Sequence, residues 1–163
     1  MISKIANIFK VKDLRKKIFF TFSLLVVFRL GGQIAIPGVD TTNFAGFGGL
    51  LDLYDTFVGS FLSQASIFSL GIMPYISASI IIQLMTAIVP YFQRLKKEGA
   101  EGNKKIIQLT RYGTVLIAMV QSIGVATLWQ GLIPDAFSPT LFYVVAIVTL
   151  VTGTIFVMWL GEQ

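Results

Sequence analysis

Residues 56–93 read TFVGSFLSQASIFSLGIMPYISASIIIQLMTAIVPYFQ, 38 consecutive positions without Asp, Glu, Lys or Arg. A hydrocarbon core about 30 Å thick is crossed by about 20 largely apolar residues rising about 1.5 Å each. The stretch is therefore too long for one crossing, and Gly59, Gly71 and Pro74 interrupt it. Its second half predicts a helix over about 73–91, with Pro74 in the first turn, where a missing N–H costs nothing. Its first half continues a pattern begun earlier: Leu50, Leu53, Tyr54, Phe57, Val58 and Phe61 recur at helical spacing. A helix of that length cannot cross. Preceded by Gly46, Gly48 and Gly49, it predicts a short re-entrant element at about 50–62, tolerated at membrane depth only beside protein or a water-filled cavity.

Three more apolar tracts flank this one: 18–36, broken only by Arg29, then 112–134 and 136–161, both uncharged. Four crossings are expected, at 18–36, 71–92, 107–128 and 140–161. Residues 37–70 form an external loop holding the short helix, 93–106 a cytoplasmic loop and 129–139 a second external loop. The fold class is an all-α, polytopic membrane helix bundle. Composition agrees, since 55% of the 163 residues are apolar and 13% charged, against about 25% charged in soluble domains.

The charges set orientation. Lys4, Lys10, Lys12, Arg15, Lys16 and Lys17 precede the first tract, and Arg94, Lys96, Lys97, Lys104, Lys105 and Arg111 follow the second. Between these blocks and beyond them the connections carry Asp40, Asp52, Asp55 and Asp135. Under the positive-inside rule the N-terminus, the 93–106 loop and the C-terminus are cytoplasmic. A cleavable signal peptide fits poorly, because Arg29 interrupts the apolar run and three more spans follow. Residues 1–17 instead read as an interfacial amphipathic helix, with Ile2, Ile5, Ile8 and Phe9 on one face. A solvated basic tail is the plainer alternative.

The inventory argues against an enzyme. Without His or Cys there are no disulfides, no imidazole base, and none of the usual zinc, haem or iron–sulfur ligand sets, so neither metal nor cofactor is expected. Asp52 and Asp55 lie in the outer segment rather than facing each other at membrane depth. Gly46, Gly48 and Gly49 lack the Lys-Ser/Thr of a phosphate loop. The aromatics sit inside apolar runs, so the net charge of +5 is weak support for nucleic-acid binding.

Ile72, Ile76, Ile80 and Gln83 share one stripe of the predicted second span, beside a polar stripe of Ser79, Gln83 and Thr86 and the small Ser77 and Ala78. One reading is an isoleucine face toward lipid and a small-residue packing face. The other is a helix that lines a narrow apolar passage and parts from a neighbour. Gln83 and Gln121, at mid-span depth, are each expected to find an interhelical partner worth roughly 0.6–2 kcal/mol. Arg29 costs about 2.5–3.5 kcal/mol unless it snorkels or pairs, and is expected to reach outward to water. In the 93–106 loop two lysine pairs flank Glu98, Gly99, Ala100, Glu101 and Gly102; they anchor two spans, and as a protruding turn they also suit an acidic partner.

RLGGQIAIPGVD (29–40), SIFSLGIMPYISASIIIQL (66–84), KKEGAEGNKKI (96–106) and TRYGTVLIAMVQSIG (110–124) closely resemble the bacterial SecY family, the pore subunit of the general protein-translocation channel. The resemblance implies an incomplete part of a ten-span fold, two halves clasped around an hourglass pore. It implies that Leu50, Leu53, Tyr54, Phe57, Val58 and Phe61 belong to a plug, and that Ile72 and Ile76 are pore-ring positions. Ser77, Ile80, Gln83 and Gln121 match a lateral gate, and Lys96, Lys97, Lys104 and Lys105 a loop where ribosome or SecA docks. The implied partners are spans 5–10, SecE and SecG, the SecA ATPase or the ribosome, signal peptides and nascent chains, and the lipid bilayer. The implied location is the bacterial inner membrane, with a plastid membrane as the other source. Ending at Gln163, the chain reads as a truncated product or a portion of a longer protein, not expected to translocate alone. Half of a broken-helix secondary transporter and a non-transporting membrane scaffold are the other readings. A transporter needs polar ligands at its break, where residues 71–76 supply only the Tyr75 hydroxyl.

Overall fold

The computed structural model describes residues 12–42, 46, 48–134 and 138–162; residues 1–11 of the expected interfacial helix, and Asp135, lie outside them. Six α-helices are described: α1 (Lys12–Gly31), α2 (Leu50–Val58), α3 (Met73–Ile88), α4 (Pro90–Lys97), α5 (Ala100–Leu128) and α6 (Pro139–Gly161). A 3₁₀ turn, Gln130–Leu132, follows α5.

Hydropathy predicts four crossings. Among the described residues, α5 and α6 are each long and apolar enough to cross alone, and α3 with α4 passes only as a pair bent by 96°. The bend has a local cause. Pro90 pushes the residue before it out of the helical region, and Val89 is extended at φ −91°, ψ 121°. The single helix expected over 73–91 therefore stops at Ile88. The eight residues of α4 turn aside, carrying Arg94, Lys96 and Lys97 in their last turn and burying Leu95.

The first tract also departs from expectation. α1 is already helical at Lys12, the first described residue, and ends at Gly31, not at Ile36. A Cβ on Gly31 would overlap the Phe68 ring, and one on Gly32 the Phe61 ring. The chain leaves the helix at this close approach. Residues 34–36 then run extended, with Ile36 N–H donating to Ala65 C=O at 2.8 Å and Ile67 N–H to Ile34 C=O at 3.0 Å. That bridge ties the segment after α1 to the segment before α3.

The core runs between α5 and α6. Thr110, Thr114, Ala118, Ser122 and Ala126 recur every fourth residue on α5, all buried. Facing positions on α6 also step by four: Phe142, Ala146, Leu150, Thr154 and Met158. Small side chains let helix backbones approach closely where lipid supplies no hydrophobic drive for association. Buried hydroxyls are satisfied inside their own helices, as where Thr114 Oγ1 donates to Thr110 C=O at 2.7 Å and Thr154 Oγ1 to Leu150 C=O at 3.0 Å. α3 joins this layer through Ala78, which is buried and lies in ordinary contact range of Gly113 on α5.

Candidate functional site

α2 is a nine-residue helix ending in a left-handed glycine, Gly59 at φ 89°. Glycine takes that conformation without Cβ strain and so closes many helices. Just beyond it the chain folds back on itself. Asp55, buried in the last turn of α2, accepts from the Leu62 N–H at 2.8 Å, the Ser63 N–H at 3.2 Å and the Ser63 hydroxyl. The Leu62 carbonyl accepts from the Trp129 indole Nε1–H at 3.2 Å, and Trp129 is wholly buried. One residue after α2, Leu62, is thus held at its N–H by α2 and at its C=O by the residue that ends α5. A buried carboxylate needs this many donors to offset the loss of water.

The six plug candidates divide. Leu50, Leu53 and Phe57 are exposed, and Tyr54 and Val58 are half-buried. Phe61 lies past the end of α2 and is 2% exposed, its ring edge-on to Phe28 with centroids 5.4 Å apart. Helical spacing grouped Phe61 with α2; the left-handed Gly59 and the positive φ of Ser60 (64°) turn it into the core instead. The Tyr54 hydroxyl donates toward the Ser69 and Leu70 carbonyls at 3.4 Å, setting α2 against the start of α3.

Ile72, at the start of α3, lines an apolar cavity of about 1070 Å³ together with Tyr54, Phe57 and Val58, whose far walls are Phe28 of α1 and Val157 of α6. Ile76 stands one turn further along α3, outside that lining, and both isoleucines are about two-fifths exposed (43% and 41%).

Of the gate candidates, Ser77 and Gln121 are half-buried and Ile80 and Gln83 exposed. Gln83, expected to pair across helices, has its partner among the described residues on its own helix. Its amide donates to Ser79 Oγ at 3.1 Å, one turn back on the same helix. On an exposed helix face the neighbouring turn is the partner within reach.

Lys96, Lys97, Lys104 and Lys105 are all exposed. The loop expected over 93–106 is mostly helix: α4 runs to Lys97 and α5 starts at Ala100, leaving Glu98 and Gly99 as the turn. Lys105 and Glu98 approach to 3.9 Å with both side chains more than half exposed, a pair worth about 0–1 kcal/mol. Arg111 makes a two-pronged ion pair with Glu162, tying the first half of α5 to the end of α6. In the connection between α1 and α2, the Thr42 hydroxyl and amide donate to Asp40 and hold its carboxyl below the usual value.

Sequence reasoning missed Asp55 and Trp129 as the pins beneath α2. Their signals were weak: an aspartate on an apolar nine-residue helix, and a tryptophan just after a span, both types common at interfaces.

The family model described as SecY matches residues 66–163, more than half of the chain. The chain belongs to the SecY family. It is 49% identical over 163 positions to the protein translocase subunit SecY of Buchnera aphidicola subsp. Acyrthosiphon kondoi, covering 93% of this chain and 45% of that relative. Against the protein translocase subunit SecY of Escherichia coli (strain K12) the identity is 48%, over 93% of this chain and 36% of the relative. The SecY of Vibrio cholerae serotype O1 is 44% identical. The chain spans less than half the length of these SecY relatives. The matched region includes Ile72, the residue that caps α3, Gln83 on α3 and Gln121 on α5.

Proposed function

We propose that this chain supplies part of the wall and outer seal of a protein-conducting channel in the bacterial inner membrane, with N- and C-terminal ends on the cytoplasmic side. The observation that carries this reading is the shared cavity wall: Ile72 at the start of α3 and Tyr54, Phe57 and Val58 of α2 bound one apolar space. Family membership says which channel such a wall would serve, since the relatives are named protein translocase subunit SecY.

In this reading Ile72 and Ile76 contribute to a ring completed by later spans. A narrow apolar constriction dewets and blocks ions without binding the passenger. α2 plugs the space on the outer side of that ring. Ser77, Ile80, Gln83 and Gln121 border a lateral gate through which a signal sequence or membrane segment reaches lipid. The driving force is burial, roughly 0.8 kcal/mol per CH₂, so the gate needs only to open. Lys96, Lys97, Lys104 and Lys105 present a basic surface to SecA or the ribosome, and SecE and SecG complete the assembly. This subunit makes and breaks no covalent bond; the motor or the ribosome supplies the work.

Site-directed photocrosslinking from positions 72 and 76 in the assembled complex, with a translocating chain arrested midway, tests this directly. Both positions are expected to label the passenger, and exposed Leu116 on α5 is not. Labelling from 116 alone, or from none of the three, overturns the reading.

A further inference from the structure

Arg29 is the sole charged residue in the tract 18–36, at a depth where a cation needs a partner or an escape to water. It does not simply reach outward. Its Nη1 donates to the Gly59 carbonyl at 3.4 Å, thirty residues away, and its Cζ lies 5.5 Å from the centroid of the Phe61 ring. Both partners sit where α2 ends and the chain folds back.

We propose that Arg29 is a positioning residue that clasps the C-terminal end of α2 and keeps the plug seated; this rests on the reading of α2 as a plug. Three observations carry it. First, a helix C-terminus presents unsatisfied carbonyls and a partial negative charge that favours a cation, and α2 has no basic residue in its own last turn. The missing cation is supplied from α1. Second, glycine at position 59 leaves room for the guanidinium. A Cβ there would sit 2.8 Å from Arg29 Nη1, and φ is +89°. Third, the two sides of the joint are unequal. Beneath α2, Asp55 and Trp129 hold Leu62 and Ser63 through several buried bonds. On the α1 side Phe28 packs against buried Phe61, and Arg29 adds only one long hydrogen bond and one cation–π contact from an exposed side chain. The buried knot is built to persist. The Arg29 contact is weak enough to release and remake, which suits an element that must leave and return.

A merely structural Arg29, packed over Phe61 for stability, would change the folding midpoint without moving α2. The test separates the two. In the assembled complex, spin labels at Leu50→Cys on α2 and Leu128→Cys on α5 report the seat of α2, and vesicle ion flux reports the resting seal. Wild type is expected to give one narrow distance. Arg29→Gln is expected to broaden it toward longer distances and to raise the leak about fivefold, the scale of one solvent-facing charged contact. Gly59→Ala should act in the same direction, because its Cβ displaces the guanidinium. Arg29→Lys should fall between, keeping the charge but losing the planar fork. An unchanged distance and leak in Arg29→Gln overturn the proposal, as does a lower unfolding midpoint with both readouts unmoved. Should Arg29→Gln fail to assemble, Arg29→Lys and Gly59→Ala matching wild type overturn it equally. The label distance reads the clasp by itself, so its failure is distinct from failure of the channel reading, which the crosslinks at positions 72 and 76 report.

Discussion

The Trp129 indole Nε1–H donates to the Leu62 carbonyl at 3.2 Å, across 67 positions of sequence, with the ring wholly buried. This bond links the C-terminal end of α5 to Leu62, whose N–H in turn donates to Asp55. α2 is therefore not hung on a loose loop; the chain just after it is fastened to the bundle.

Trp129→Phe keeps most of the ring and deletes the donor. The orphaned carbonyl and lost bond are expected to cost about 1–2 kcal/mol, whereas Trp129→Ala also opens a cavity and costs about 3–5 kcal/mol. Denaturation midpoints of the detergent-purified complex check this. A Trp129→Phe protein as stable as wild type would show that the indole acts by volume alone.

The 96° bend between α3 and α4 follows from Pro90 acting on Val89. Pro90→Ala frees Val89 for the helical region and restores an N–H, so the two helices are expected to straighten. Electron-paramagnetic distances between labels at Ile81 on α3 and Lys97 on α4 should lengthen. An unchanged distance would mean that packing of α4 on α5, and not proline, sets the angle.

Much of this architecture was legible in hydropathy, and some was not, for identifiable reasons. Long uncharged tracts mark where α3, α5 and α6 lie, because apolar surface of that extent has nowhere to go but lipid or a bundle core. Pro74 marked the first turn of α3, as a residue without an N–H should. The end of α1 at Gly31 was hidden, since residues 32–36 are as apolar as a span; what stops the helix is the approach of the Phe61 and Phe68 rings, a tertiary fact. Phe61 likewise kept helical register with Phe57, and only the left-handed Gly59 removes it from α2. Gln83 illustrates a subtler limit: polar character at mid-span was visible, but whether its partner lies on a neighbour or on its own helix depends on packing.

Reversing Lys104 and Lys105 to Glu is expected to weaken binding of SecA or the ribosome by about tenfold at low salt, mainly through slower association. Because both lysines are exposed, the effect should shrink as salt screens the surface. Equal affinity in the reversed and wild-type complexes would mean that the lysines serve only to anchor the ends of the spans.

The central claim is that aliphatic side chains at the start of α3 seal a conduit. Replacing both Ile72 and Ile76 by Ser removes the apolar surface without adding charge, and resting ion flux through vesicles carrying the assembled complex reads the consequence. The account predicts a marked rise in leak in the absence of any passenger chain. Flux that stays at the wild-type level, in a complex that assembles normally, would contradict it.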